Sequence, residues 1–243
     1  PQPPRENPSE IYGLLPTDRT KPYDMREIVR RLTDHSEFDE YKALYGKTLL
    51  CGLARIEGWA VGIVANQRTM VKTKKGEMQM GGVIYSDSAD KAARFIMNCN
   101  QKHIPLVFLQ DVVPKFTVVV GNSYGAGNYA MCGRAYDPRL MVAWPTAQLA
   151  VMSGASAAKT LLQIQVSSLK AKGETITPER ENELYETIKS RYDSQLSPYY
   201  AAARLWIDAV IDPLDTRRVI AAGLEAANHA PIEKRYNVGV IQT

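Results

Sequence analysis

The run from Phe116 to Gly133 constrains this chain more than any other stretch. Phe116-Thr117-Val118-Val119-Val120 is apolar and β-branched, the composition of a buried strand. It feeds directly into G-N-S-Y-G-A-G-N-Y-A-M-C-G, Gly121–Gly133. Small residues at Gly121, Ser123, Gly125, Ala126 and Gly127 let the backbone turn sharply and approach a ligand closely. A short helix can start from Asn128. Strand, glycine-rich turn and helix N-terminus together aim backbone N–H groups at one point, which suits a negative oxygen. The same residues would also permit tight strand–helix packing with no ligand, and spacing alone does not separate the two readings. The motif has no Gly-Lys-Ser/Thr and does not spell G-x-G-x-x-G, so neither nucleotide fingerprint applies.

The chain has 243 residues, enough for one large α/β domain with a real core or two small ones. A net charge of +4 is mild, and no interleaving of basic and aromatic residues points to nucleic acid. No apolar run approaches the length of a membrane span, and the start carries no signal-peptide pattern. Three cysteines, Cys51, Cys99 and Cys132, are odd in number and far apart. That argues against a disulfide framework or a zinc site and for reduced thiols in a cytoplasmic or matrix compartment. Cys132 lies in the key loop, but no histidine stands near it in sequence to activate it. Residues 1–22 are rich in proline and polar groups without periodicity and read as a linker or N-terminal extension. The start at Pro1 suggests a processed product or a piece of a longer chain.

Asp24 predicts a capped helix through Leu32. Phe38, Tyr41 and Leu44 have helical spacing, with Gly46 as a stop. Leu49–Ile56 and Trp59–Ala65 read as a hairpin turning at Glu57-Gly58. The Lys72–Lys75 run is a solvated loop or, less simply, a contact for phosphates or an acidic partner. Ser86 or Ser88 can cap a helix through Asn100, and Ile104–Gln110 is a buried-type strand. Leu140–Trp144 and Gln148–Val151 are short strands, and Ser153, Thr177 and Ser197 open helices, the second highly charged and projecting. Thr216–Asn228 is the last helix. Alternating strands and helices predict an α/β class. One junction conflicts with it. Ile104–Gln110 and Phe116–Val120 should be parallel, yet only Asp111–Lys115 separates them, where a parallel crossover takes about a dozen residues or more.

The usual catalytic sets are missing. His35, His103 and His229 are scattered among polar neighbours and pair with no Cys, Asp or Glu at metal-ligand spacing. Ser123 is not in a G-x-S-x-G elbow. Asp111 stands at a strand end, where α/β sheets bind ligands, but it borders the short junction. What remains is a site made mainly of backbone dipoles, poor for hydrolysis and suited to enolate chemistry.

The string G-N-S-Y-G-A-G-N-Y-A-M-C-G-R-A-Y-D-P-R, then A-W-P-T-A-Q-L-A-V-M, I-D-P-L-D-T-R (Ile211–Arg217) and A-P-I-E-K (Ala230–Lys234), resembles the carboxyltransferase (β) subunit of biotin-dependent acyl-CoA carboxylases. It is most like the methylcrotonyl-CoA carboxylase branch, over Tyr23 to about Lys234, and it matches the C-terminal half of that subunit. The resemblance implies a crotonase-like (ClpP/crotonase) ββα spiral over residues 23–243. It implies transfer of CO2 from carboxybiotin, borne on a separate carrier protein, to an acyl-CoA. This half would hold the biotin and the N-terminal half the acyl-CoA. The backbone amides of Ala126 and Gly127 would form the oxyanion hole, with Tyr124 and Gly125 shaping the biotin pocket and Gly81-Gly82 offering a further backbone contact. Tyr124 also reads as a packed core aromatic. No metal is expected in this domain. Implied partners are a biotin carboxylase, a biotin carrier subunit, the N-terminal carboxyltransferase half and further copies in a ring-shaped hexamer. Trp144-Pro145 and Tyr199-Tyr200 are core or interface candidates. In the family a segment with a Thr/Pro-Gly-Phe turn and a helix separates the two strands of the short junction. The resemblance therefore implies residues left out, or deleted, between 111 and 114. Competing readings are a glutaconyl-CoA-type biotin-dependent decarboxylase, which runs the half-reaction backwards, and a non-catalytic scaffold of the same shape. A simple CoA hydratase fits poorly, for want of paired glutamates at the glycine-rich loops.

Overall fold

The computed structural model describes residues 1–18, 21–73, 76–110, 116–125, 138–171 and 177–229. The stretch read as a linker carries elements of its own. A 3-10 turn at Pro8–Glu10 leads into α1 (Ile11–Leu14), and Ile11 is buried in the main core. Its polar residues are anchors: Arg31 of the next helix bonds Glu6, Glu10 and Glu27. Helix α2 (Met25–Leu32) starts where Asp24 Oδ1 accepts the Arg26 N–H at 2.9 Å. It buries Met25, Ile28, Val29 and Leu32, the spacing of one helical face.

The helix expected through Phe38, Tyr41 and Leu44 does not form. Asp39–Glu40 is instead β1, an edge strand antiparallel to β2 (Leu49–Ile56) in the register Asp39↔Leu53. Sheet pairing overrides the helical spacing because Gly52 has no side chain. The Phe38 ring packs where its Cβ would be, and Tyr41 N–H donates to the Cys51 carbonyl at 2.7 Å. The hairpin from β2 to β3 (Trp59–Asn66) turns at Glu57 and Gly58, both at positive φ (50° and 82°), as a tight two-residue turn requires. A small ribbon, β4 (Val71–Lys72) with β5 (Met78–Gln79), precedes α3 (Ser86–Gln101). Of the two serines proposed as its cap, Ser88 acts, from inside the first turn, accepting the Tyr85 N–H at 2.9 Å.

From β3 onward the sheet is parallel. It continues through β6 (Leu106–Gln110), β7 (Phe116–Val119), β9 (Leu140–Ala143) and β11 (Ala209–Val210), closing a seven-stranded order β1-β2-β3-β6-β7-β9-β11. A second, two-stranded parallel sheet joins β8 (Asn122–Tyr124) to β10 (Gln148–Ala150). Helices α4 (Gly154–Ala171) and α5 (Pro178–Asp193) pack on each other, with no α5 residue fully buried, in line with a charged, projecting element. Helices α6 (Pro198–Ala202) and α7 (Thr216–Asn228) complete the order.

The sheet is covered on both faces, as its near-continuous apolar strands demand. On one face Ile63, Val107, Val118 and Val142 pack with residues of α2 and α7. On the other, Cys51, Val64 and Phe108 pack with α3, and Val119, Met141 and Ala143 pack with Ala201 of α6. Trp144 belongs to the core: it is fully buried, and its Nε1 donates to Thr216 Oγ1 at 2.9 Å. Tyr199 is exposed, while Tyr200 is half-buried and meets Trp206 edge-on at 5.9 Å.

Candidate functional site: the crevice at the strand ends

Because β3, β6, β7 and β9 run parallel, their C-terminal ends meet at one edge, where open α/β sheets bind ligands. A cavity of about 290 Å³ opens there. Its floor is Arg68 beyond β3, Val120, Gly121 and Asn122 beyond β7, and Thr146 beyond β9. The amino-terminal segment forms the opposite wall through Tyr12 and Tyr23. Another cavity, about 330 Å³, lies between β1, β2 and α3 around Tyr41, Phe95 and Cys99, and shares no residue with the glycine-rich turn.

The strand-end loops are fixed by backbone partners. Trp144 N–H donates to the Val119 carbonyl at 2.9 Å, Thr146 Oγ1 to the Val120 carbonyl at 3.0 Å, and Gln148 N–H to the Gly121 carbonyl at 3.0 Å. The first part of the glycine-rich run is thus a strand, β8, held by β10 in the register Ser123↔Leu149. Ser123 is fully buried within it, which suits no exposed nucleophile. Tyr124 is half-buried, and its hydroxyl donates to Gln148 Oε1 at 2.5 Å. Gly125 ends the strand at φ +53°, and a Cβ there would lie 2.9 Å from the Val151 carbonyl oxygen. Glycine is required at that position on both counts. Ala126 and Gly127, the expected oxyanion-hole residues, lie outside the described residues, as do Asp111, Cys132, Lys74, Lys75 and Ala230–Lys234.

Gly81 and Gly82 join the same edge through Arg68. A Cβ on Gly81 would overlap the Arg68 carbonyl, and one on Gly82, at φ +78°, would overlap its guanidinium. Gly82 N–H donates to the Gln67 carbonyl at 2.7 Å. The glycine pair therefore backs onto the residue that lines the cavity.

Sequence reasoning missed Gln67 and Arg68, although both directly follow an apolar strand and such positions face ligands in parallel sheets. Gln67 is fully buried and organises the loop. Its Oε1 accepts N–H groups from Arg68 (2.8 Å), Thr69 (3.2 Å) and Met25 (3.3 Å), and its Nε2 donates to Asp24. Tyr12, an exposed side chain, was also missed, because it stands in a polar stretch of sequence. Its hydroxyl donates to Asp212 Oδ1 at 2.6 Å, a bond that raises the tyrosine above its ordinary value and lowers the aspartate. This contact pins the amino-terminal wall to the loop before α7.

His35 and His103 sit exposed at positive φ (56° and 54°), and His229 is exposed at the end of α7. None enters the crevice. Cys51 and Cys99 are buried free thiols, pushed up by burial to about 12 and about 11, which makes them core residues and not nucleophiles. Among the described residues no cluster of His, Cys, Asp or Glu can hold a metal ion. The arrangement offers backbone dipoles, hydroxyls and a guanidinium around a crevice of mixed polar and apolar lining.

Comparison with known proteins gives the family. The chain matches the carboxyl transferase domain family in two segments, residues 1–113 and 112–238, and belongs to that family. It is 41% identical to the mitochondrial methylcrotonoyl-CoA carboxylase beta chain of Dictyostelium discoideum over 253 aligned positions, covering 92% of this chain and 41% of that one. It is 41% identical to the biotin-dependent 3-methylcrotonyl-coenzyme A carboxylase beta1 subunit of Mycobacterium tuberculosis over 260 positions, covering 95% of this chain and 46% of the other. The crystal structure of the transcarboxylase 12S subunit, a hexamer with hydrolysed methylmalonyl-coenzyme A bound, superposes at a TM-score of 0.77 with 30% identity, covering 97% of this chain and 49% of that one. The fold is accordingly the crotonase-like spiral. The chain spans less than half the length of each of these relatives.

Proposed function

We propose that this chain is the biotin-side half of a carboxyltransferase acting in a biotin-dependent acyl-CoA carboxylase, with a methylcrotonyl-type acyl-CoA as acceptor. The observation that carries the reading is that the glycine-rich run after β7 begins at the strand-end crevice, which Gly121 and Asn122 line, in a chain of the carboxyl transferase family. Moving CO2 from carboxybiotin to a carbon acid creates negative oxygen twice. One charge forms on the biotin ureido oxygen as CO2 leaves, and one on the thioester oxygen as the acceptor loses its proton. Backbone N–H groups of Ala126 and Gly127 stabilise the ureido charge. Each such preorganised donor is worth about 3 kcal/mol in a site closed to water. The freed biotin nitrogen takes the proton, so no side-chain base is needed. Tyr124, anchored on Gln148, and Gly125 shape the biotin pocket, and Gly81-Gly82 back onto Arg68 in the crevice lining.

Acyl-CoA binding falls to an N-terminal half, which the relatives' greater length accommodates. Biotin arrives on a carrier protein charged by a biotin carboxylase, and the working unit is a hexamer, as described for transcarboxylase 12S. Both methylcrotonyl relatives are named as carboxylases, which favours carboxylation over decarboxylation. No helix among the described residues is long and apolar enough to cross a membrane. The Dictyostelium relative is named as mitochondrial, and its name supports a mitochondrial or, in a bacterium, a cytoplasmic compartment for this chain. The test is reconstitution with an N-terminal half, a biotin carboxylase and a biotinylated carrier, followed by transfer of labelled bicarbonate to methylcrotonyl-CoA. Label in the acyl-CoA that disappears without the carrier supports the reading. Carrier-independent turnover, or none in a correctly assembled complex that contains a complete site, sinks it.

A further inference from the structure

We infer that Lys21 and Arg68 make the strand-end crevice an oxyanion subsite for the carboxylate of carboxybiotin, so that this half tells a loaded carrier from a spent one. The identity of the anion rests on the carboxyltransferase reading. The charge of the site rests on the crevice itself.

Among the described residues that line the crevice, only Lys21 and Arg68 are charged, and both are cations. Thr17 and Asn122 add a hydroxyl and an amide, and the described lining contains no aspartate or glutamate. Two aspartates brace the crevice from outside the lining, and each is taken up by its own donors. Asp24 Oδ1 accepts from Gln67 Nε2 at 2.7 Å and from the Arg26 N–H at 2.9 Å. Asp212 Oδ1 accepts from the Tyr12 hydroxyl at 2.6 Å and from the Leu214 N–H at 2.8 Å. A concave site lined by charge of one sign draws the opposite ion.

Arg68 is also held in place. Its N–H is fixed by the buried Gln67 Oε1 at 2.8 Å. Its backbone fills the space that a Gly81 side chain would need, and its guanidinium fills that of a Gly82 side chain. Gly82 itself stands at φ +78°, a conformation that residues with a Cβ rarely adopt. One glutamine and two glycines thus set a half-buried arginine at the crevice. A solvated surface arginine needs no such cradle. The guanidinium keeps its charge at any working pH, and its planar fork matches a carboxylate with two parallel hydrogen bonds. Lys21 supplies a compact second cation from the amino-terminal wall, at a turn where its N–H donates to the Asp18 carbonyl at 3.1 Å.

Size and chemistry select the anion. At about 290 Å³ the crevice lies at the small end of ligand sites, room for a bicyclic head and not for a whole acyl-CoA. The ureido bicycle of biotin is neutral, and only its carboxylated form brings an anion to such a site. Two cations therefore favour the loaded form, by about tenfold or more for one charge-assisted contact. They hold it only while the carboxyl group is attached. When the N–C bond breaks, its electron pair stays with the ureido group and CO2 leaves neutral. Once the ureido nitrogen has taken a proton the head is neutral again, and Lys21 and Arg68 no longer retain it.

The test uses two stable cyclic ureas, one with an acetate group on a ring nitrogen and one with a methyl group there. Ligand-observed NMR measures their binding to the carboxyltransferase assembled with its N-terminal half, for the native protein and for Lys21→Met, Arg68→Met and Arg68→Lys. The acetate probe should bind the native protein at least about tenfold more tightly than the methyl probe, and added salt should shrink the preference. Either methionine variant should lower that preference at least about threefold, and Arg68→Lys should keep more of it than Arg68→Met. Lys21 is exposed, so its variant keeps the test open if an Arg68 variant does not assemble. Equal binding of the two probes to the native protein overturns the inference, as does a preference that Lys21→Met leaves unchanged. If neither probe binds, the KM for the carboxylated carrier decides, and an unchanged value in Lys21→Met overturns the inference. Displacement of the acetate probe by coenzyme A, with Lys21→Met raising KM for the acyl-CoA instead of the carrier, would assign the cations to a phosphate and overturn it too. All these outcomes leave the carboxyltransferase reading standing. That reading fails separately, if the native assembly transfers no label from the carboxylated carrier.

Discussion

Gln67 donates from Nε2 to Asp24 Oδ1 at 2.7 Å, and this one bond ties the end of β3 to the start of α2 beneath the crevice. The other end of the amide accepts from the backbones of Arg68, Thr69 and Met25. Gln67→Leu strips those N–H groups of their acceptor. At about 1–3 kcal/mol for each buried orphan, the loss should exceed about 3 kcal/mol in urea denaturation. Gln67→Glu keeps the acceptors but sets a carboxylate against Asp24. It should destabilise at neutral pH and recover part of the loss as the solution is acidified, a sign that a purely steric defect would not give.

Arg217 carries a second tie between distant segments. Its Nη2 bonds Asp34 Oδ1 at 2.9 Å and Glu57 Oε1 at 2.6 Å, and its Nη1 donates to the Leu32 carbonyl at 3.1 Å. Burial acts to raise the Asp34 carboxyl. The N–H groups of Gly58, Gln2 and Glu57, together with Arg217, outweigh it and hold the group below its ordinary 3.8. A carboxyl lowered in the folded state contributes stability that is complete above the unfolded value and is lost as pH falls through the folded one. Thermal midpoints below about pH 4 should therefore drop in the native protein. Asp34→Asn should be less stable at neutral pH and flatter in that acid range. Arg217→Met leaves the carboxylate buried without its cation and should cost about 3–5 kcal/mol.

The I-D-P-L-D-T-R string illustrates what was and was not legible. As sequence it was a family marker with no assigned task. In the fold Asp212 caps the turn into α7 by accepting the Leu214 N–H and also receives the Tyr12 hydroxyl, Thr216 receives Trp144, and Arg217 binds Asp34 and Glu57. Leu214 apart, these partners lie from 72 to 200 residues away, beyond any local pattern. Elements set by local chemistry were readable: the Asp24 and Thr177 caps, the Glu57-Gly58 turn and the apolar strands. Elements set by pairing were not. β1, β8 and β11 are two or three residues long and exist only because a neighbouring strand accepts them. The backbone demands of Gly81, Gly82 and Gly125 were readable, being written in the residue type. The parts of Gln67, Arg68 and Tyr12 around the candidate crevice were not, since they come from where the sheet and the amino-terminal wall bring these residues.

Trp144 and Thr216 form a buried pair at 2.9 Å between the β9 strand end and α7. Trp144→Phe leaves the Thr216 hydroxyl unpaired and removes part of a fully buried ring, so a loss of about 2–4 kcal/mol is expected. Thr216→Val removes the partner and its polar demand together. The double variant should lose less than the sum of the single losses, and a double-mutant cycle on urea midpoints measures the coupling. Strict additivity would mean that the bond contributes nothing net.

Gly125 gives the sharpest test of the site against the scaffold reading. Alanine there must adopt φ +53° and also meet the Val151 carbonyl oxygen at 2.9 Å. The backbone strain alone is about 1–2 kcal/mol, small enough to leave a folded protein. On the proposed reading this glycine leads into the oxyanion-hole residues Ala126 and Gly127. In a reconstituted carboxylase containing a complete site, Gly125→Ala should lower kcat by about 10²-fold or more while leaving KM for the acyl-CoA near its original value, because the proposed function assigns the thioester to the other half. A rise in KM with kcat unchanged would instead move acyl-CoA binding onto this half. Unchanged kinetics in a variant whose melting temperature has fallen would mean that the glycine serves packing alone, and the oxyanion assignment to this turn would go with it.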